Sequence, residues 1–99
     1  MKLRKREIAA ILKLVERFGV ASRVNIGLAI GLLEEEVCMN KKTARNTIKR
    51  LAKFGFVHVL RDDEEILVEI EDPLRVLKRY VDEYLEKRLK RCRKPSAKT

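Results

Sequence analysis

"NKKTARNTIKRLAKFGFV", Asn40 to Val57, decides how this chain is read. Lys41, Lys42, Arg45, Lys49, Arg50 and Lys53 crowd into it, and no acidic residue stands between Asn40 and Gly55 to neutralise them. Ala44, Ile48, Leu51 and Phe54 recur at the three- and four-residue spacing of one face of an amphipathic helix. Asn40 is placed to cap its start and Gly55 to close its end. On a helical wheel Ala44, Ile48 and Leu51 point one way, while Lys42, Arg45, Asn46 and Lys49 point the other. One face binds a core and the other faces out. A helix fits the major groove of B-DNA, Arg and Lys pair with guanine edges or phosphates, and Asn pairs bidentately with adenine. Taken alone, the same cations are equally well read as a solvated basic face.

Upstream, Ile8, Ile11, Leu12, Val15 and Phe18 set out a first helix over Arg6 to Phe18, closed by Gly19. Val20 and Ala21 suit a short strand, and Ser22 an N-cap for a second helix from about Arg23 into the 30s, with Val24, Leu28, Ala29, Leu32 and Leu33 as its apolar positions. Gly27 and Gly31 either shorten that helix or let another backbone approach it. "EEEV" and "CM" bridge to Asn40. Downstream, Phe56 to Arg61 and Ile66 to Glu71 read as two strands, since Ile66, Val68 and Ile70 alternate with Leu67, Glu69 and Glu71. "DDEE" is the loop between them. Asp72 and Pro73 supply a cap and a first-turn proline for a last helix. The fold class expected is mainly α with a small β hairpin (α+β), divided into 1–72, a C-terminal helix over 73–94 and a disordered polar tail over 95–99.

The chain has 99 residues, enough for one domain that buries roughly two thirds of its extended-chain surface. Its 24 Lys and Arg against 15 Asp and Glu give a net charge of +9, which favours a polyanionic partner, nucleic acid first and an acidic membrane surface second. No apolar run reaches the ~20 residues of a spanning helix, and Met1 to Glu7 lacks the apolar block of a signal peptide, so a cytoplasmic location is expected. Charged residues make up 39% and Gln is absent, a thermophile-like composition. Cys38, Cys92 and the single His58 stand in no metal or redox spacing, and neither a metal nor a cofactor is expected. Catalysis is not expected either: there is no phosphate-cradling glycine loop, no carboxylate pair in a plausible cleft and no Cys-His pair at a readable spacing.

A helix, a short strand, a helix, a connector, a basic capped helix ending in Gly and an immediate hairpin together resemble the winged helix-turn-helix family of DNA-binding transcriptional regulators, notably its small archaeal-type members. The resemblance covers roughly Arg6 to Glu71, and its most specific part is "NKKTARNTIKRLAKFGFV", similar to that family's recognition helix with a "KFGFV" exit into the wing. It implies insertion of residues 40–54 into the major groove of double-stranded DNA. Lys41, Lys42, Thr43, Arg45, Asn46 and Lys49 fall where such proteins touch bases or nearby phosphates. Arg50 and Lys53 fall where backbone contact is implied, Ser22 and Arg23 suit a phosphate at the preceding helix, and Arg61 is the wing cation. Two features depart from the family: the connector is long and acidic, and Asp62, Asp63, Glu64 and Glu65 give the wing tip a negative charge where Arg or Lys is usual.

Leu74, Leu77, Val81, Tyr84, Leu85 and Leu89 form an apolar stripe on the last helix. About twenty residues at ~1.5 Å each span roughly the diameter of the domain, so part of the stripe runs past the core and suits a homodimer seam; the alternative is a helix folded back over the first. In a parallel seam Cys92, one turn beyond Leu89, would meet its mate, although a free thiol is favoured. Cys38 is expected to be a small buried apolar residue. Three functions follow: a sequence-specific regulator, a non-sequence-specific architectural binder of DNA or RNA, and a winged-helix protein-interaction module, for which the acidic tip is the best argument. The operator, the direction of regulation and any small-molecule effector are not legible.

Overall fold

The computed structural model describes residues 2–92. They form a mixed α+β fold in the order α1 (Lys5–Phe18), β1 (Arg23–Asn25), α2 (Ile26–Glu36), α3 (Lys41–Phe54), β2 (Val57–Asp62), β3 (Glu65–Ile70) and α4 (Pro73–Cys92). The expectations for the tail over 95–99 and for the side chain of Cys92 lie outside the described residues. None of the described helices is long and apolar enough to cross a membrane.

The helices α1, α2 and α3 close on one core, to which Leu14, Leu33, Ile48 and Leu51 contribute fully buried side chains, and the sheet covers it with Val57, Val68 and Ile70. β3 is the central strand of an antiparallel sheet ordered β1-β3-β2. Pairing of Val57 with Ile70, Val59 with Val68 and Arg61 with Ile66 puts these six on the helix-facing side. A two-residue turn, Asp63 and Glu64, joins β2 to β3, with Asp63 at a φ of 55° that Asp tolerates better than most residues.

The first helix is rotated from the expected stripe by about one residue. Its buried positions are Glu7, Ala10, Ile11 and Leu14, whereas Ile8 and Leu12 are 42% and 56% exposed. An acid occupies the place an apolar residue was expected to take, because Arg50 meets it there.

The second helix starts later than expected. Residues 23–25 pair with Glu69, Val68 and Leu67 as β1, so the short strand lies here and not at Val20 and Ala21. Ser22 does not cap the helix; its hydroxyl donates to the Gly19 carbonyl at 2.7 Å in the preceding turn. Asn25 is the cap, its Oδ1 accepting from the Gly27 N–H at 2.7 Å. A Cβ on Gly27 would stand 2.9 Å from that oxygen, which accounts for the glycine. At the other end Glu34 to Glu36 remain helical, which leaves only residues 37–40 as connector. Cys38 is exposed there at a φ of 55°, contrary to expectation, and Met39 takes the buried place, 8% exposed.

Asp72 caps α4 through Oδ1, which accepts from the Leu74 N–H at 3.0 Å. Val76 is fully buried and Tyr80 donates its hydroxyl to the Phe54 carbonyl at 3.3 Å, so the first two turns dock on the end of α3. From Val81 to Arg91 every residue is exposed. The helix therefore does not fold back over α1.

Candidate nucleic-acid interface

The basic helix α3 is held from three sides. At its start the Asn40 Oδ1 accepts from the Thr43 N–H at 2.8 Å. At its end Gly55 adopts the left-handed conformation, φ 89°, that a side chain would strain. Along its inner face Ala44, Thr47, Ile48 and Leu51 are buried. Thr47 is satisfied by donating to the Thr43 carbonyl at 2.8 Å, with the Met39 sulfur 3.6 Å away.

With that face fixed, Lys41, Lys42, Arg45, Asn46, Lys49 and Lys53 are all exposed. Among the described residues none of these cations has an acidic partner within ion-pair distance; the pairs formed involve Lys13, Arg17, Arg23 and Arg50. The first turn of α3 holds no acid, and Lys41 and Lys42 stand there instead. Cations at the positive end of a helix dipole are unfavourable by a few tenths of a kcal/mol each, and an anion bound there offsets that cost. Thr43 is half-buried on the flank of this face.

Three expected contact residues are placed elsewhere. The Arg50 guanidinium turns inward to the Glu7 carboxylate, donates to the Lys2 carbonyl at 3.2 Å and lies 5.3 Å from the centre of the Phe54 ring. Arg23 sits on β1, pairs with Glu69 at 3.2 Å, and by the strand register occupies the sheet face opposite the helices. Ser22 is half-buried in the turn before it. Neither Ser22 nor Arg23 stands at a helix N-terminus, because β-pairing takes the residues the helix was expected to begin with. Arg61, in contrast, faces the same side as Val59 and Ile66 and lies across a trough from Lys41, Arg45 and Lys49.

The hairpin tip is fully acidic and exposed over Asp62, Asp63, Glu64 and Glu65, with Glu65 accepting from the Asn25 amide at 3.1 Å.

Glu7 was invisible to pattern reading, since nothing local marks one Glu among many as buried. At 2% exposure it is the most buried charged group described. Burial acts to raise its pKa, but the hydrogen bond from Arg50, that from the Arg4 N–H and the attraction of both guanidinium groups outweigh this and hold it below its ordinary value. The pair ties α1 to α3 beneath the basic face.

No three His, Cys, Asp or Glu side chains gather into a metal-binding group among the described residues. The chain has no significant match to a model of a known protein family, to a curated protein or to a solved structure.

Proposed function

We propose that this chain is a winged helix-turn-helix protein that binds double-stranded DNA in a sequence-specific way as a homodimer and regulates transcription. The observation that carries the reading is the outward face of α3, where five cations with no acidic partner among the described residues project with Asn46 from a helix braced by its cap, its core face and the Glu7–Arg50 pair. The element order from α1 to β3 agrees with the family resemblance of the sequence, with β2 and β3 as the wing. Lys42, Arg45, Asn46 and Lys49 are the base-reading candidates, and Lys41, Lys53 and Arg61 the phosphate contacts. Arg50, Arg23 and Ser22 are left out of this set, being engaged within the fold. The homodimer is supported by Leu77, Val81, Tyr84, Leu85 and Leu89, which stay between 36% and 59% exposed along α4.

A second reading, a winged-helix module that binds another protein, is favoured by the acidic hairpin tip. Selection of bound sequences from a random duplex library at near-physiological salt separates the possibilities. A consensus supports the regulator, enrichment without consensus an architectural binder, and no enrichment the protein-interaction module.

A further inference from the structure

Between the N-terminal half of α2, one flank of α3 and the inner side of the hairpin runs a trough of about 750 Å³. Its apolar lining is Ile26, Ile30, Ile48, Val59 and Ile66. Val59 illustrates why it is open: Val68, its ladder partner on the central strand, is fully buried, whereas Val59 on the edge strand is 45% exposed. The rim is basic on both sides, with Lys41, Arg45 and Lys49 at successive turns along α3 and Arg61 opposite on β2. None of these four is paired to an acid among the described residues, and Glu34 is the one carboxylate in the lining.

We propose that this trough is a binding site for a small amphipathic anion, a carboxylate carried on an apolar body such as a medium-length acyl chain. DNA satisfies the cations but leaves the apolar lining unfilled, apart from what a thymine methyl covers. Inorganic phosphate has the same deficiency. A neutral hydrocarbon fills the lining and leaves the rim unsatisfied. The volume falls within the roughly 300–1,000 Å³ of small-molecule sites, so the occupant is a metabolite-sized molecule and not a partner helix. Glu34 orients it, since repulsion drives the carboxylate toward Arg45, Lys49 and Arg61. The regulatory consequence, though not the binding itself, rests on the DNA-binding reading: the anion occupies Arg45, Lys49 and Arg61, so anion and DNA exclude one another.

The test is a titration of the full chain with decanoate below its micellar concentration, followed through the methyl resonances of the isoleucines and valines. Saturable shifts confined to Ile26, Ile30, Ile48, Val59 and Ile66 are expected, with decanol and inorganic phosphate at the same concentration giving little. Val59→Glu, a substitution at an already exposed edge position, is expected to abolish the shifts with the far-UV spectrum unchanged. Arg45→Gln with Arg61→Gln is expected to weaken binding roughly tenfold or more through lost charge-assisted hydrogen bonds. Equal binding of decanol, or shifts centred on Val76 and Val81 of α4, overturns the proposal. Displacement of a fluorescent duplex by decanoate is read separately: a chain that binds decanoate but no duplex keeps the site and loses the DNA reading, and the reverse result keeps the DNA reading alone.

Discussion

The guanidinium of Arg50, on the basic helix, is bonded to the carboxylate of Glu7, on the first helix, across 43 positions of sequence. The Glu7 side chain is 3% exposed and that of Arg50 35%, so the acid is committed to the interior while the cation reaches water at its outer edge. Removing the cation strands a buried charge. Arg50→Ala is expected to cost about 2 to 3 kcal/mol in urea unfolding, less than the ~3–5 kcal/mol of a fully enclosed pair because water reaches part of the site. Loss below about 0.5 kcal/mol, the size of an ordinary exposed pair, would place the bond among surface contacts.

The same pair sets a pH dependence. The folded pKa of Glu7 is depressed below its ordinary value of 4.5, so its contribution is fully present above that value and is lost as pH falls through the lowered one. Wild type is expected to lose stability steeply below about pH 4.5. In Arg50→Ala the burial that raises the pKa is no longer opposed by its strongest partner, and acidification relieves the stranded charge. The difference in unfolding free energy between the two proteins should therefore shrink as pH falls. A constant difference across the acid range would show that Glu7 is not the titrating partner.

On the outer face, Arg45→Ala and Asn46→Ala are expected to relax specificity at particular base pairs, each by about 1 to 3 kcal/mol of discrimination if its contact is bidentate. Lys53→Ala is expected to weaken all sequences alike. Binding should fall with salt at a log-log slope near -0.9 per phosphate neutralised. Proportional loss of specific and non-specific binding in both kinds of variant would remove the recognition role from α3.

The basic helix was legible because every signal that defines it is local: the Asn40 cap, the stripe at Ala44, Ile48 and Leu51, and Gly55. The strands of the hairpin were legible to within a residue for the same reason. What was hidden depends on distant partners. Arg23 to Asn25 is a strand only because β3 lies beside it, and both Ser22 and Asn25 are good caps until that pairing is known. By sequence Arg50 is one more cation of the face, because its partner Glu7 stands 43 positions away on another helix. The trough was unreadable because its lining is gathered from α2, α3, β2 and β3.

The hairpin tip offers a direct test of pose. Asp62, Asp63, Glu64 and Glu65 are exposed at the end of the proposed wing, where they would meet phosphates with like charge. Changing them to Asn and Gln is expected to raise non-specific affinity for duplex DNA, more at low salt than at high salt. Unchanged affinity would mean that the tip stays more than a Debye length from the backbone.

The last expectation concerns how two copies meet through α4. Leu77, Val81, Leu85 and Leu89 lie at successive i+4 positions, a ridge that packs against its copy at a steep crossing, and each buried Leu or Val contributes about 1.5 to 3 kcal/mol. Charge decides the direction. The last turns carry Lys87, Arg88, Lys90 and Arg91 against Glu86, whereas the segment from Glu71 to Glu83 carries Arg75, Lys78 and Arg79 against Glu71, Asp72, Asp82 and Glu83. A parallel pair would set the two basic ends side by side, while an antiparallel pair sets each against the more acidic segment of the other. The antiparallel arrangement is therefore expected, which separates the two Cys92 positions by far more than the ~7 Å a disulfide tolerates. Under mild oxidation a Cys38→Ser chain should form no Cys92 bridge, whereas Val81→Cys near the middle of the ridge, with both native cysteines replaced by Ser, should crosslink readily. Quantitative bridging at Cys92 would reverse the direction, and a chain sedimenting as a monomer at micromolar concentration would remove the seam. If the dimer forms, Leu77→Glu with Leu85→Glu should dissociate it; a dimer indifferent to both glutamates would have its interface elsewhere, with the exposed Ile8 and Leu12 of α1 the next surface to change.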